Sequence, residues 1–262
     1  MTSTARKDTT PEATVAVVTG AGSGIGAATA LRLATDGATV VLTGRTADKL
    51  ESIVAGAGDI AGNMVVRVVD SSDESAVAEL FASVVAEFGR LDTLVNNAAV
   101  ATPGAVTETD TADWAQVMRV DVDGVFFGCR AAVPHLVETG GSIVNVASVS
   151  GMGGDWNNVA YNAAKGAVVN MTRAMAMDHA ADGVRVNAVS PSLTMTDMTA
   201  GMTDDEDLMA RFADRIPMGR AGQPEEVADV IAFLTGPDAR FVTGVNLPVD
   251  GGLSASNGQP RM

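Results

Sequence analysis

The chain has 262 residues, of which 47% are hydrophobic and only 4% aromatic. A chain of this length is long enough to bury a substantial core. It has 17 Lys and Arg but 32 Asp and Glu, which gives a formal net charge of −15. Such a charge repels nucleic-acid backbones and anionic membranes. One cysteine, Cys129, and two separated histidines, His135 and His179, exclude an intrachain disulfide and predict no metal site.

The beginning of the chain, MTSTARKDTTPEA, is polar and contains no apolar run of the kind that directs secretion. No stretch reaches the roughly 18 to 20 apolar residues that a membrane-spanning helix needs. We therefore expect residues 1–12 to form a polar tail, and we expect a cytoplasmic location without membrane or nucleic-acid partners.

Short apolar strands alternate with helices along the rest of the chain. The first strand, TVAVVT, is a β-branched run that leads directly into glycines. Asp73 is placed to cap a helix that runs to Phe88, with Gly89 as its left-handed end. The predicted order is strand 14–19, helix 24–36, strand 38–44, helix 46–55, strand 64–70, helix 74–88, strand 91–98, a long helix after 111, strand 141–148, a helix containing 161–165, strand 183–190, helix 224–235 and strand 244–252.

This alternation predicts the fold. Continuous apolar strands separated by helices are typical of a parallel sheet that is covered on both faces. Because no linker or change of composition divides the chain, we predict a single doubly wound α/β (Rossmann) domain over residues 13–252. About seven parallel strands are expected, and residues 253–262 form a C-terminal tail.

The turn after the first strand carries Gly20, Gly22, Gly24 and Gly26. Glycines at this point let backbone N–H groups approach a pyrophosphate, and the N-terminus of the following helix adds partial positive charge. Glycines also occur at such turns for steric reasons alone. Their position after the first strand of a βαβ unit favours a nucleotide site.

A second motif, YNAAK, contains the only tyrosine of the chain, Tyr161. Lys165 lies four residues further on, so the two side chains share one face of the helix. A free tyrosine has a pKa of about 10, and a lysine charge beside it favours the phenolate form. Ser148 ends a strand 13 residues earlier and can donate to a substrate carbonyl oxygen. Taken singly, these residues fit a packing aromatic or a strand-end cap; together they predict a general acid/base site.

The spacing TGxxxGIG, NNAA (96–99), Ser148, YNAAK and VNAVSPSLTMT together resemble the short-chain dehydrogenase/reductase (SDR) family, from about residue 13 to Gly252. The resemblance implies a nicotinamide cofactor and a homotetramer. It also implies that Asp70 contacts the adenine and that Asn96 lies at the cofactor-side end of the fourth strand. The implied cofactor-binding residues are Gly20, Ser23, Gly24, Ile25, Gly26, Arg45, Asp70, Asn97, Ala98, Tyr161, Lys165, Pro191, Thr194 and Thr196.

The end of the second strand bears on the choice of cofactor. Gly44 stands where members that prefer NAD carry Asp, and Arg45 follows it. A basic residue there accommodates the 2′-phosphate of NADP, so NADP(H) is favoured. NAD(H) stays open, because Arg45 fits a solvated loop charge as well and Ser23 stands where some NADP-dependent relatives carry a basic residue.

Two positions depart from the family pattern. The family carries a fourth catalytic residue, an Asn seven positions after a Trp, and here Trp114 leads to Asp121. The resemblance implies that Asp121 holds a water of a proton relay, and its charge would stabilise the Lys165 cation and shift the pH profile. The alternative is a tolerated substitution without a pH role. Ser192, within SPS, replaces the usual Gly and places the local backbone geometry in question.

The substrate is expected between residues 151–159, GMGGDWNNV, and a methionine-rich lid over about 195–218. The methionines of the lid equally fit core or interface packing. Without an obvious basic residue, this pocket favours a neutral ketone or secondary alcohol, interconverted by NAD(P)-dependent hydride transfer. The predicted substrate-pocket residues are Met152, Trp156, Met195 and Met198.

Three other functions compete with this prediction. Similar 3-oxoacyl-carrier-protein reductases use basic residues where this chain has Glu138 and Asp182, and like charges disfavour an acidic carrier protein. A non-catalytic NADP-binding sensor would need the glycine turn but not Ser148, Tyr161 and Lys165. A nucleotide-sugar epimerase is typically longer and has another glycine spacing.

Overall fold

The computed structural model describes residues 13–259, so the predicted polar tail 1–12 lies outside the described residues. The described chain forms a seven-stranded sheet in the order β3-β2-β1-β4-β5-β6-β7, and every neighbouring pair is parallel. This confirms the predicted doubly wound fold. The strands are β1 Val15–Thr19, β2 Thr39–Gly44, β3 Asn63–Val68, β4 Thr93–Asn96, β5 Ser142–Val146, β6 Arg185–Pro191 and β7 Asn246–Val249.

The helices lie close to their predicted positions. Asp73 caps its helix by accepting from the N–H groups of Ser75 and Ala76, and Gly89 ends it in the left-handed conformation with φ 76°. The α-helices of the described chain are α1 Gly24–Thr35, α2 Ala47–Gly56, α3 Glu74–Phe88, α4 Thr111–Met118, α5 Gly124–Thr139, α6 Val159–His179, α7 Ala200–Thr203, α8 Glu206–Arg215 and α9 Pro224–Thr235.

Two apolar layers cover the faces of the sheet. Successive residues of a strand point to opposite faces, so Leu94 belongs to one layer and Val95 to the other, and both are fully buried. Helices α3, α5 and α6 pack on the first face, while α1 and α9 pack on the second. Burial on both faces explains why the strands are continuous apolar runs. Each buried Leu or Val contributes about 1.5–3 kcal/mol.

The structure corrects one predicted helix and adds detail to two other segments. The long helix after Thr111 is interrupted by a π-helical turn over Arg119–Asp123. The lid segment is largely helical, and Met202 and Met209 pack against a small cluster around Ile216, which favours their packing role. The C-terminal tail begins with an ordered 3-10 turn over Leu253–Ala255. None of the described helices is long and apolar enough to cross a bilayer.

Candidate active site

A cleft opens at the carboxyl ends of the strands, where the strand order reverses between β1 and β4. Ligands of doubly wound sheets bind at this reversal. Thirteen of the fourteen predicted cofactor residues line the cleft; Gly26 does not. Those that line it are Gly20, Ser23, Gly24, Ile25, Arg45, Asp70, Asn97, Ala98, Tyr161, Lys165, Pro191, Thr194 and Thr196.

The glycine turn is packed too tightly for side chains. Gly20 has φ +64°, and a Cβ there would lie 2.8 Å from the Ala98 Cα. A Cβ on Gly26 would lie 2.4 Å from the Gly20 carbonyl oxygen. Asn97 braces the turn, since its Nδ2 donates to the carbonyl oxygens of Thr19 and Gly20, both at 3.0 Å. The bare turn at the start of α1 fits the pyrophosphate of a dinucleotide.

Two cations stand at the β2 edge of the cleft. Gly44 and Arg45 line it, and so does Lys49 on the first turn of α2. The Lys49 Nζ lies 3.2 Å from the Asp197 carboxylate. Lys49 was not among the predicted cofactor-binding residues. Its position four residues after Arg45, inside the predicted helix, could have indicated that it lies near the same edge of the cleft. The edge therefore carries positive charge and no carboxylate at position 44.

Asp70 follows β3 at the far end of the same cleft. Its Oδ1 accepts from the Ser72 N–H at 2.9 Å and from the Ser72 hydroxyl at 2.8 Å. Burial opposes its ionisation, but these two hydrogen bonds, with the charges of Arg45 and Arg119, hold the pKa of Asp70 below its usual range. Asp70 is thus an ionised acceptor at neutral pH.

The helix α6 brings Tyr161 and Lys165 together as the motif predicts. The Lys165 Nζ lies 5.4 Å from the Tyr161 ring centroid and donates to the Val146 carbonyl oxygen at 3.1 Å. On its other side it lies 3.3 Å from the Asp121 carboxylate, which the π-helical turn aims inward. Lys165 is 2% exposed and Asp121 is fully buried. Asp121 is therefore the direct counterion of Lys165.

Burial and charge shift the pKa values of Lys165 and Asp121 in opposite directions. Desolvation is the largest single influence and would lower the pKa of Lys165. The Asp121 charge, the neighbouring Tyr161 and a hydrogen bond to Asp121 together outweigh it and raise that pKa above its ordinary value. Desolvation raises the pKa of Asp121, against the attraction of Lys165. Lys165 therefore remains a cation at neutral pH.

Ser148 ends β5 on the other side of the cleft and is mostly buried. It caps the short helix that follows, because its Oγ accepts from the Ser150 N–H at 3.1 Å. The Ser150 hydroxyl hydrogen-bonds both the Ser148 hydroxyl and the Asp155 carboxylate. The cleft is thus lined by the Tyr161 phenol, by Lys165 next to it and by the Ser148 hydroxyl.

Comparison with known proteins identifies the family. Residues 20–254 match the family described as "Enoyl-(Acyl carrier protein) reductase". The chain is 49% identical to meso-2,3-butanediol dehydrogenase of Serratia marcescens, over 95% of this chain and 97% of that protein. The chain belongs to the short-chain dehydrogenase/reductase family. It is thereby an NAD(P)-dependent oxidoreductase of the alcohol dehydrogenase and ketone reductase type.

Other SDR proteins are similar over nearly the whole chain. Cis-4-hydroxycyclohexanecarboxylate dehydrogenase of Sinomonas cyclohexanicum is 46% identical, over 92% of this chain and 96% of that protein. Among solved structures, a short-chain type dehydrogenase/reductase from Mycobacterium ulcerans superposes with a TM-score of 0.90 and 32% identity. That superposition covers 95% of this chain and 92% of the other.

The SDR segment after β6 tolerates the serine at position 192. Among the described non-glycine residues only Asn157 has a positive φ, so Ser192 adopts an ordinary backbone conformation. The Thr194 hydroxyl donates to the Ser192 carbonyl oxygen at 3.0 Å, and both residues line the cleft with Thr196. The departure from Gly therefore leaves this wall of the SDR cleft intact.

Only one of the four predicted substrate-pocket residues lines the cleft. Met198 lines the cleft, whereas Met152, Trp156 and Met195 do not. The Trp156 side chain is 96% exposed and makes no wall in this conformation. Asn96 also lies outside the cleft lining: its Nδ2 donates to Asn145 at 2.9 Å inside the core. Within residues 13–259 there is no cluster of His, Cys, Asp and Glu that could hold a metal ion.

Proposed function

We propose that the protein interconverts a neutral secondary alcohol and its ketone, with Tyr161 as the general acid/base. The observation that carries this proposal is the placement of the Lys165 Nζ 5.4 Å from the Tyr161 ring centroid, in the cleft that Ser148 also lines. The Lys165 cation favours the phenolate, which accepts the alcohol proton during oxidation. In reduction, the phenol returns that proton to the developing alkoxide.

The other cleft residues orient the reactants. A bound nicotinamide supplies the carbon that accepts or donates the hydride. Ser148 donates a hydrogen bond to the substrate oxygen and stabilises the charge that develops there. Thr194 and Thr196, on the wall after β6, are suited to hold the carboxamide and so to present one ring face.

A small neutral substrate fits this site best. The predicted pocket segment 151–159 carries one ionisable residue, the exposed Asp155, and no basic residue that would pair with a carboxylate or phosphate. The similarity to a butanediol dehydrogenase supports a secondary alcohol with a neighbouring hydroxyl. We propose meso-2,3-butanediol and acetoin as the first compounds to test.

NADP(H) is the favoured cofactor. Arg45 and Lys49 flank the cleft edge where a 2′-phosphate would lie, and Gly44 brings no carboxylate to hold a free ribose 2′-hydroxyl. The pairing of Lys49 with Asp197 is exposed to solvent, so it leaves the lysine able to turn toward an anion. NAD(H) remains the alternative cofactor.

The role of a carrier-protein reductase is less well supported. Glu138 at the end of α5 and Asp182 after α6 are both exposed, and the whole chain has a net charge of −15. Their charge would repel an acidic acyl carrier protein. The homotetramer and the cytoplasmic location expected from the sequence stay predictions.

A substrate panel tests the proposal. We expect absorbance of the reduced nicotinamide to appear with meso-2,3-butanediol and to disappear with acetoin, at a higher kcat/KM with the NADP couple than with the NAD couple. Equal or better turnover with the NAD couple would contradict the cofactor assignment. Higher kcat/KM for acetoacetyl-carrier protein than for acetoin would contradict the substrate class, and cofactor binding without any turnover would favour the sensor.

A further inference from the structure

Lys49 spans the cleft at the glycine turn. Its stem lies against the turn, because a Cβ built on Gly22 would lie 3.2 Å from the Lys49 Cβ. Its Nζ reaches the Asp197 carboxylate at 3.2 Å, and Asp197 belongs to the segment after β6. Both Gly22 and Lys49 line the cleft. The ion pair therefore joins the first turn of α2 to the segment after β6, beside the turn that fits a dinucleotide.

The backbone at Asp197 is held in place from both sides. Thr196 packs on the glycine turn, since a Cβ on Gly24 would lie 2.9 Å from the Thr196 Cγ2. The Thr199 hydroxyl accepts from the Thr196 N–H at 3.1 Å and closes the short 3-10 turn that begins at Asp197. Lys49, with four flexible carbons between its backbone and its charge, is consequently the partner that can move.

The pair is open to solvent. The exposed fraction is 58% for the Lys49 side chain and 69% for the Asp197 side chain. Exposed ion pairs stabilise little, because water screens the charges and a long side chain must be ordered. A phosphate monoester carries close to two negative charges at neutral pH and three acceptor oxygens. The 2′-phosphate of NADP(H) would therefore attract Lys49 more strongly than the single charge of Asp197 does.

Lys49 cannot serve both anions without cost. An ammonium group has three N–H donors, so hydrogen bonding alone would allow it to hold a phosphate and Asp197 together. The two anions would then lie within hydrogen-bond distance of one nitrogen and would repel each other. NADP(H) must therefore take Lys49 from Asp197. NAD(H) has an uncharged hydroxyl at the 2′-position and leaves the pair intact.

We propose that Asp197 is a specificity-determining residue, which reduces the preference for NADP(H) over NAD(H) by holding Lys49. This inference rests on the proposed function, in which NADP(H) is the favoured cofactor. Asp197 acts through Lys49 and is thus a positioning residue. Because Gly44 brings no carboxylate to the cleft, the readiness with which Lys49 leaves Asp197 sets how far the two cofactors differ in affinity.

The test is a fluorescence titration of NADPH and of NADH against the wild type and variants, at fixed pH and low ionic strength. Asp197→Asn should lower the Kd for NADPH about two- to fivefold, the range expected for freeing one partner of an exposed ion pair. It should change the Kd for NADH little. A selective gain in affinity is a result that damage to the fold would not produce. The titration requires no turnover, so its outcome is independent of the substrate panel.

Lys49→Met and the double variant show whether Asp197 acts through Lys49. Lys49→Met should raise the Kd for NADPH about tenfold or more, because a hydrogen bond to a charged group is lost. In that background Asp197→Asn should have no further effect. Asp204→Asn removes the same charge from an exposed position of the same lid segment and should bind both cofactors as the wild type does.

The remaining outcomes would contradict the inference. An unchanged NADPH Kd in Asp197→Asn, an equal gain for NADPH and NADH, or a gain that persists without the Lys49 charge would each overturn it and leave the proposed catalysis untouched. A wild type that binds neither reduced cofactor would overturn the proposed function and this inference with it.

Discussion

At the scale of single residues, Asp121 most changes the chemistry expected of this site. Its carboxylate is fully buried 3.3 Å from the Lys165 Nζ, and its Oδ1 also accepts from the Val100 N–H at 2.8 Å. An uncharged Asn at this place would leave the Lys165 charge uncompensated. Asp121 therefore weakens the field with which Lys165 favours the phenolate of Tyr161.

We predict that Asp121→Asn moves the pH profile of alcohol oxidation to lower pH. Asp121 raises the pKa of Lys165, so without it the cation is lost at lower pH and the basic limb moves down. We expect a shift of about one pH unit, measured as kcat/KM for meso-2,3-butanediol.

Asp123→Asn is the matched control, because it removes the same charge from the exposed side of the same π-helical turn. It should leave both limbs in place. A profile for Asp121→Asn that coincides with that of the wild type would show that Asp121 has no pH role, which is the alternative left open by the sequence.

At the scale of elements, the turn between β1 and α1 depends on the absence of a side chain at Gly26. A Cβ there would lie 2.4 Å from both the Gly20 oxygen and the Asn97 Nδ2. We predict that Gly26→Ala lowers the free energy of unfolding by about 1–3 kcal/mol, because the turn must move apart. It should also weaken cofactor binding, although Gly26 does not line the cleft. Denaturant unfolding and cofactor titration measure the two effects.

The control for this variant is Gly56→Ala at the end of α2. A Cβ on Gly56 meets nothing within 4 Å, and the residue is exposed. The added methyl should leave cofactor binding unchanged and stabilise the protein by up to about 1 kcal/mol through helix propensity. Equal stability and cofactor affinity in the two variants would contradict the steric account of the turn.

Local signals explain which elements could be predicted. Asp73 and Gly89 bracket α3 because a cap and a left-handed glycine act within one turn of the chain. The π-helical turn at Arg119–Asp123 escaped prediction because it depends on tertiary contacts. Asp121 reaches the Val100 N–H, and a Cβ on Gly124 would lie 3.0 Å from the Ser71 carbonyl oxygen. Neither partner is near in sequence.

In the candidate site too, features set by local sequence could be predicted, and features set by tertiary contacts could not. Tyr161 and Lys165 share a helix face, so their spacing in the sequence already predicted their proximity. Lys49 was missed, since its place at the cleft depends on how α2 meets the segment after β6, where the Lys49 Nζ pairs with Asp197. Trp156 was expected in the pocket for its aromatic ring, but a loop rich in glycine leaves it almost fully exposed.

At the scale of the whole molecule, strand order gathers residues that are distant in sequence. The ends of β1, β4, β5 and β6 meet at one edge, so the glycine turn, Asn97, Ser148 and Thr194 line a common cleft. The net charge of −15 spreads over the same molecule, yet Arg45 and Lys49 stand at the edge of this cleft. The fold thus concentrates positive charge where an anionic cofactor would enter.

The most direct test of the account compares the wild type with Tyr161→Phe, by cofactor titration and by turnover of meso-2,3-butanediol and acetoin. The account predicts that the variant binds NADP(H) nearly as tightly as the wild type, because the ring and the glycine turn remain. Its turnover should fall by roughly 10²–10⁴-fold in both directions, since the proton acceptor is gone. Turnover by Tyr161→Phe within a few-fold of the wild type would contradict the central claim that this phenol is the general acid/base.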